Sequence, residues 1–133
     1  MSASNDDPAA SYNASTLVSI NDSRVWITTG VRKMFDQFDE RSRERLIRVM
    51  EYWCMDKKLP TASMNRNEGR SKLNEMVMAF KAFQRRLYGF ERTIDGIRTF
   101  VIVDCDPAKK QNKADPKILN RTKGRVDTFG KEK

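Results

Sequence analysis

The hydrophobic positions along the chain follow two different periods, which predict a strand followed by two helices. Residues 24–29 alternate, with Val25 and Ile27 on one side and Trp26 on the other, as is typical of a strand. From 31 to 38, and again from 40 to 57, apolar residues recur every three or four positions, which is the spacing of one helix face. Asp39 is placed to cap the second helix, and a β-branched stretch over 16–20 suits an edge strand.

The apolar residues of the segment from 71 to 83 fit both the period of a helix and the period of a strand. Its apolar residues have helical spacing, whereas residues 76–83 also alternate. We predict a helix over 71–82 and keep the strand as the alternative. Farther on, Asp115-Pro116 has the form of an N-cap followed by a first-turn proline, which predicts a short helix over 114–122.

A β-hairpin over 85–104 is the most informative stretch. Asp95-Gly96 is a two-residue turn flanked by β-branched and aromatic residues. The turn sets a register that pairs Arg92 with Thr99 and Thr93 with Arg98. The two arginines then lie on opposite faces, and only a bulge or the edge of the sheet would bring both to one ligand. The pattern alone therefore assembles no site.

Composition narrows the class of protein. The length of 133 residues suits one domain, which we place at 16–123, with tails of low apolar content at 1–15 and 124–133 predicted to be disordered and flexible. The net charge of +8 favours a polyanion, an acidic protein or a membrane surface as partner. Without a signal peptide or an apolar run of roughly 20 residues, a cytoplasmic protein is expected.

The residue types in the chain exclude sites that depend on histidine and predict structural roles for the cysteine and aromatic residues. The chain has no His, so a Cys/His zinc site and a His general base are excluded, and Cys54 and Cys105 are predicted to be buried free thiols. Aromatic and methionine residues at strand or helix spacing, Phe83 among them, are predicted to pack in the core. Basic residues on the 40–57 helix alternate with glutamates, so pairing within the helix explains them as well as RNA does.

The order of these motifs resembles the HigB-like, phage-derived branch of the RelE/ParE toxin superfamily. The resemblance covers about residues 24–123 and rests on residues in a common order, namely Leu87, Tyr88, Arg92, Arg98, Lys109, Lys110 and Lys113, followed by a helix. It implies an α+β fold in which a small antiparallel sheet packs against two N-terminal helices. The chain departs from the pattern in its longer N-terminus, in its Met-rich segment at 71–83, and in lacking the C-terminal His or Tyr of some branches.

The function implied by the resemblance is that of a type II toxin. Such a toxin is an endoribonuclease that cleaves mRNA without metal or cofactor, often on the ribosome, and is inhibited by an antitoxin protein. The chemistry is attack of a ribose 2′-hydroxyl on the adjacent phosphate, which needs a base, an acid and charge stabilisation. The resemblance implies that Arg92 and Arg98 contact the scissile phosphate, with Lys109 or Lys110 as base or acid. The expected RNA contacts are Lys81 and Lys113 on flanking phosphates, Tyr88 stacked on a base, and Arg85 and Arg86 beside them.

Two other functions remain open at this point. A non-catalytic RNA- or protein-binding accessory protein, of phage or mobile-element origin, would show the same positive charge, because phosphate contacts give affinity without reaction. A gyrase-poisoning relative of the same superfamily is the other alternative, although no residue pattern singles out that target.

Overall fold

The protein is an α+β structure with a six-stranded mixed sheet and three α-helices, in a computed structural model that describes residues 6–108 and 114–131. In the described part of the chain, no helix is both long enough and apolar enough to cross a membrane. The strands are β1 (Ala14–Ile20), β2 (Ser23–Thr28), β3 (Met64–Asn65), β4 (Met78–Ala82), β5 (Arg85–Ile94) and β6 (Ile97–Asp106). The helices are α1 (Thr29–Asp36), α2 (Glu40–Cys54) and α3 (Pro116–Thr128), and a 3-10 helix, Pro8–Tyr12, precedes β1.

The sheet has the order β1-β2-β6-β5-β4-β3. Every neighbouring pair is antiparallel except β2 and β6, which run parallel. The expectation of an antiparallel sheet is therefore wrong for this central pair. The reason lies in the connection between the two strands, because parallel neighbours need a long crossover, and here α1, α2 and β3–β5 lie between them along the chain.

Both faces of the sheet are covered, and each has its own core. Helices α1 and α2 pack on one face, which we call the α2 face, against Ile27, Phe80 and Phe100. Helix α3 packs on the other, the α3 face, where Val126 meets a core that includes Val101. Residues of β2, β4, β5 and β6 therefore alternate between two buried faces, and these four strands present apolar side chains in both directions.

Helices α1 and α2 form as their apolar spacing predicts. Val31 and Phe35 of α1 are buried, and so are Leu46 and Trp53 of α2. Asp39 caps α2, since its carboxylate accepts the Ser42 backbone N–H at 3.0 Å and the Ser42 hydroxyl at 2.7 Å. These two hydrogen bonds lower the pKa of Asp39 to about 2.

The helix expected over 71–82 is wrong, and the alternating alternative is the one observed. Strand β4 places Phe80 and Ala82 on the α2 face and Ala79 on the α3 face. The helical interpretation fails because Leu73, one of its apolar positions, is 59% exposed, so the segment has no continuous helical face to bury. Pairing with β5 instead supplies the backbone of β4 with hydrogen-bond partners.

The predicted terminal tails are wrong wherever the structure describes them. Tyr12 of the 3-10 helix packs against Trp26 and stacks on Phe129, with ring centroids 5.2 and 5.4 Å apart. Helix α3 continues to Thr128, past the predicted end at 122, and buries Val126. Each segment alone has few apolar residues, but the two ends bury each other's aromatic rings, which sequence composition cannot reveal. Residues 1–5 and 132–133 lie outside the described residues.

Candidate nucleic-acid interface

The hairpin of β5 and β6 has the register predicted from its turn. Arg92 pairs with Thr99 and Thr93 with Arg98, and Asp95 and Gly96 have φ of 54° and 78°. Two positive φ values are the conformation of a type I′ turn. The hairpin has a bulge, but it lies at the far end from the turn, between Tyr88 and Gly89. Arg92 and Arg98 therefore lie on opposite faces, and the structure does not bring them together.

Arg98 lies on the α2 face, where it covers an aromatic cluster. Its guanidinium lies 3.7 Å from the centroid of the Trp53 ring and donates to the Trp53 carbonyl at 3.1 Å. Asp56 at 3.3 Å and Glu91 at 3.5 Å complete its ionic partners. These contacts hold Arg98 against the helix α2 end, so the guanidinium acts as a structural cap over the core.

Arg92 lies on the α3 face, over the ring of Phe90 at 4.6 Å. Its guanidinium is 3.4 Å from the carboxylate of Glu75, and about a third of each side chain is exposed. Arg92 can therefore still meet a ligand, but without Arg98.

Tyr88 is fully buried, which contradicts the predicted role of stacking on a base. Its ring belongs to the core on the α3 face and has no exposed area. Burial also raises the pKa of its phenol to about 12. Tyr88 therefore stays protonated near neutral pH and offers neither a stacking face nor a base.

A row of ionisable residues crosses three neighbouring strands on the α3 face. Lys81 of β4 pairs with Arg86 of β5, and Arg86 pairs with Asp106 of β6. We call these three residues the charged row. Glu68, from the loop before β4, approaches Arg86 at 3.0 Å, and both side chains are nearly buried. The charged row therefore places two cations and a carboxylate on neighbouring strands of one face, with the Glu68 carboxylate paired to Arg86.

The charged row lies at the end of the sheet from which the predicted lysine segment continues. Strand β6 ends at Asp106, and Lys109 follows it three positions later in the sequence. Lys109, Lys110 and Lys113 themselves lie outside the described residues. Three of the predicted RNA contacts, Lys81, Arg86 and Tyr88, thus belong to one face of the sheet.

Arg85 lies on the same end of the sheet but is bound to other elements. It donates to the carbonyl of Pro107, and its guanidinium is 3.3 Å from the carboxylate of Asp39. It also lies 5.0 Å above the Phe38 ring. Arg85 therefore joins the start of helix α2 to the residue that follows β6.

The sequence interpretation missed Phe83 as a surface residue. Phe83 was expected in the core, yet it is 57% exposed in the two-residue connection between β4 and β5. Its φ is +55°, a left-handed conformation, and the Arg41 guanidinium lies 4.2 Å from its ring centroid. The available signal was the strand alternative for 76–83, because a strand ending at 82 and another starting at 85 leave Phe83 and Gln84 as a turn. Glu68 and Asp106 were also missed, since sequence spacing does not relate them to Arg86.

A second charged cluster lies under helix α3. Asp104 is 2% exposed and accepts hydrogen bonds from Arg121 at 2.6 and 2.9 Å and from the Thr122 hydroxyl at 3.0 Å. Arg125 is 3.2 Å from the same carboxylate. A cavity of about 690 Å³ opens beside these groups, between α1, α3 and the 3-10 helix. The shared carboxylate makes this cluster an attachment point for α3.

Metal ligands are not grouped in residues 6–108 and 114–131, where no three acidic or cysteine side chains are arranged to hold an ion.

Comparisons with known proteins identify no relative of this chain. No protein-family model, no curated protein and no solved structure matches it.

Proposed function

We propose that the protein is an mRNA-cleaving endoribonuclease toxin of the RelE/ParE type, HigB-like, inhibited by a cognate antitoxin. The observation that carries the proposal is the charged row of Lys81, Arg86 and Asp106, with Glu68 beside it. This row supplies cations and carboxylates on one face of the sheet, next in sequence to the Lys109–Lys113 segment. RNA cleavage needs such a combination of charge stabilisation and proton transfer.

The reaction requires no group that this chain lacks. A base removes the proton from a ribose 2′-hydroxyl, and the oxygen attacks the adjacent phosphorus. Negative charge then builds on the phosphate oxygens, and the 5′-oxygen leaves with a proton from an acid. The products are a 2′,3′-cyclic phosphate and a 5′-hydroxyl end.

Lys81 and Arg86 of the charged row, together with Glu68 beside them, each suit one part of this reaction. The planar guanidinium of Arg86, with its several N–H donors, suits the phosphate oxygens of the transition state. Glu68 holds Arg86 in place through the 3.0 Å contact and acts as a positioning residue. Lys81, half-buried on the neighbouring strand, suits proton donation to the leaving oxygen. Lys109 or Lys110 remains the proposed base.

The arrangement of elements also supports the proposal. Two helices along one face of the sheet, an Asp95-Gly96 hairpin and a final helix follow one another in the order that the resemblance implies. The proposal replaces Arg92 and Arg98 as the phosphate contacts, because they lie on opposite faces. The RelE-like arrangement and the antitoxin are part of the proposal.

The test is cleavage of a synthetic single-stranded RNA by the purified protein, with product ends identified by mass spectrometry. We expect ends carrying a 2′,3′-cyclic phosphate. Lys81→Gln and Arg86→Gln should each lower the cleavage rate by about 10²–10³-fold, because each removes a charge placed at the reacting phosphate. Lys33→Gln, at an exposed position of α1, is the matched control and should cleave like the wild type.

Arg86→Gln leaves the nearly buried Glu68 without its cation, so its melting temperature must be measured alongside. Lys81→Gln tests the site at a half-buried position, and its melting temperature is measured in the same way. If a folded Lys81→Gln variant cleaves RNA at the wild-type rate, the charged row is not the catalytic site.

A non-catalytic RNA-binding protein is the second candidate, and one observation favours it. Glu68 pairs with Arg86, only 10% of whose side chain is exposed, so the Arg86 guanidinium is already held by a carboxylate and is less accessible to a reacting phosphate. Binding that weakens steeply with salt, together with intact RNA after prolonged incubation, would select this function.

A further inference from the structure

The β4–β5 turn presents an aromatic ring to solvent at some conformational cost. Phe83 is 57% exposed and has a φ of +55°, where the Cβ of a bulky residue meets the backbone. A glycine or asparagine would fit this position with less strain. A bulky aromatic held in such a conformation at the surface indicates a role outside the core.

One arginine covers this ring, and a second follows the turn along the chain. The Arg41 guanidinium lies 4.2 Å from the Phe83 centroid and covers one face of the ring. Arg85, which follows the turn at the start of β5, keeps 29% of its side chain exposed. Proteins that bind single-stranded RNA stack unpaired bases on exposed aromatic rings beside cations that contact the phosphates. The positive charge of Arg41 suits the phosphates of a polyanion, and the exposed ring adds a flat surface on which a base can stack.

The turn adjoins the charged row directly. Ala82 and Arg85 form the last pair of β4 and β5, and Lys81 and Arg86 form the pair before it. Phe83 is therefore about 7 Å along the strand from Lys81, at about 3.3 Å per residue. The Phe83 ring lies against Arg41 of helix α2, so an RNA strand that contacts both the ring and the charged row would pass around this end of the sheet from the α3 face.

We propose that the β4–β5 turn is a base-stacking subsite for single-stranded RNA, in which an unpaired base lies on the exposed face of Phe83 and Arg41 supports the other face. This subsite rests on the proposed function, since it would position the strand that crosses the charged row. Every base has a flat face, so the subsite holds RNA without selecting a sequence.

The test is the affinity of the protein for a fluorescent, 2′-O-methylated single-stranded RNA of about ten nucleotides, measured by anisotropy. The methyl group blocks the nucleophile, so binding is measured without cleavage. Phe83→Asn should weaken binding about tenfold and leave the salt dependence unchanged. Arg41→Gln should instead lower the slope of log K against log salt by about 0.7, because it removes one cation near phosphate.

Leu73→Asn is the matched control, because Leu73 is an apolar side chain of similar exposure, 59%, but has no aromatic ring. It should bind RNA like the wild type. Phe83→Asn should keep a melting temperature within about 5 °C of the wild type, because relief of the left-handed strain offsets lost contacts.

The outcomes separate this proposal from the proposed function. Wild-type binding that Phe83→Asn leaves unchanged would overturn the subsite alone and leave Phe83 as a contact for another protein. Absence of RNA binding by the wild type would overturn both. Weaker binding of Phe83→Asn and Leu73→Asn alike would show a general loss of surface and would also overturn the subsite.

Discussion

At the scale of single residues, Gly89 is the position in the hairpin that leaves no room for a side chain. A Cβ at this position would meet the backbone carbonyl of Val101 and lie 2.7 Å from the Phe100 ring. Gly89 also adjoins the bulge, where the register of β5 and β6 shifts. Glycine is therefore required here by close approach of the neighbouring strand and not by its own φ.

Gly89→Ala is predicted to destabilise the protein by about 1–3 kcal/mol or more, because the strand or the Phe100 ring must move. Gly124→Ala in α3 is the matched control, since its Cβ would meet no atom within 4 Å. It should stabilise the protein by about 1 kcal/mol, the cost of glycine inside a helix. Urea unfolding of the two variants would measure both changes. A Gly89→Ala variant as stable as the wild type would contradict the close approach of β5 and β6 at this point.

At the scale of elements, helix α3 is attached to the sheet mainly through one buried carboxylate. Asp104 accepts hydrogen bonds from Arg121 and Thr122 and lies 3.2 Å from Arg125. The bulge between β5 and β6 makes this possible, because it turns Val103 and Asp104 to the α3 face in succession. Leu119 and Val126 are buried and Ile118 is partly buried, so α3 is held by a small apolar contact together with the polar attachment.

Asp104→Asn is predicted to loosen α3 while leaving the rest of the sheet intact. The amide keeps one acceptor but loses its charge, which should lower the free energy of unfolding by about 1–3 kcal/mol. Hydrogen exchange should show faster exchange of α3 amides than of amides near the Asp95-Gly96 turn. Asp22→Asn, at an exposed position, should leave both rates unchanged. Equal acceleration of both regions would show that α3 and the hairpin unfold as one unit.

At the scale of the whole molecule, three buried acidic protons link stability to alkaline pH. Cys54 and Cys105 are both free and buried, as predicted, and burial raises the pKa of each thiol to about 11. Burial likewise raises the pKa of Tyr88 to about 12. In the unfolded chain these groups titrate near 8.5 for cysteine and near 10 for tyrosine. Alkaline pH therefore deprotonates the unfolded chain first and favours unfolding.

The contribution of these three groups to the free energy of unfolding is predicted to be constant below about pH 8. It should then fall between about pH 9 and 12. The measurement is the urea midpoint at a series of pH values. Tyr88→Phe should reduce the part of the decrease above about pH 10 and leave the part due to the thiols. A urea midpoint that stays level from pH 8 to 11 would show that the thiols are accessible in the folded protein.

The sequence by itself determined the elements whose signals are local. The alternation around Trp26, the helical spacing after Asp39 and the Asp95-Gly96 turn gave a strand, a capped helix and a hairpin register, all of which the structure contains. The turn even placed Arg92 and Arg98 on opposite faces, because register follows from turn length and from the two-residue period of a strand.

Only the tertiary structure decided which distant residues became neighbours. The parallel pair of β2 and β6, the strand over 78–82 and the packing of Tyr12 on Phe129 depend on contacts between segments far apart in sequence. The same holds for the candidate site, since Lys81, Arg86 and Asp106 meet only through strand pairing. The spacing of apolar residues shows which face of a helix or strand can be buried. Which other element covers that face depends on the free energy of the whole assembled sheet.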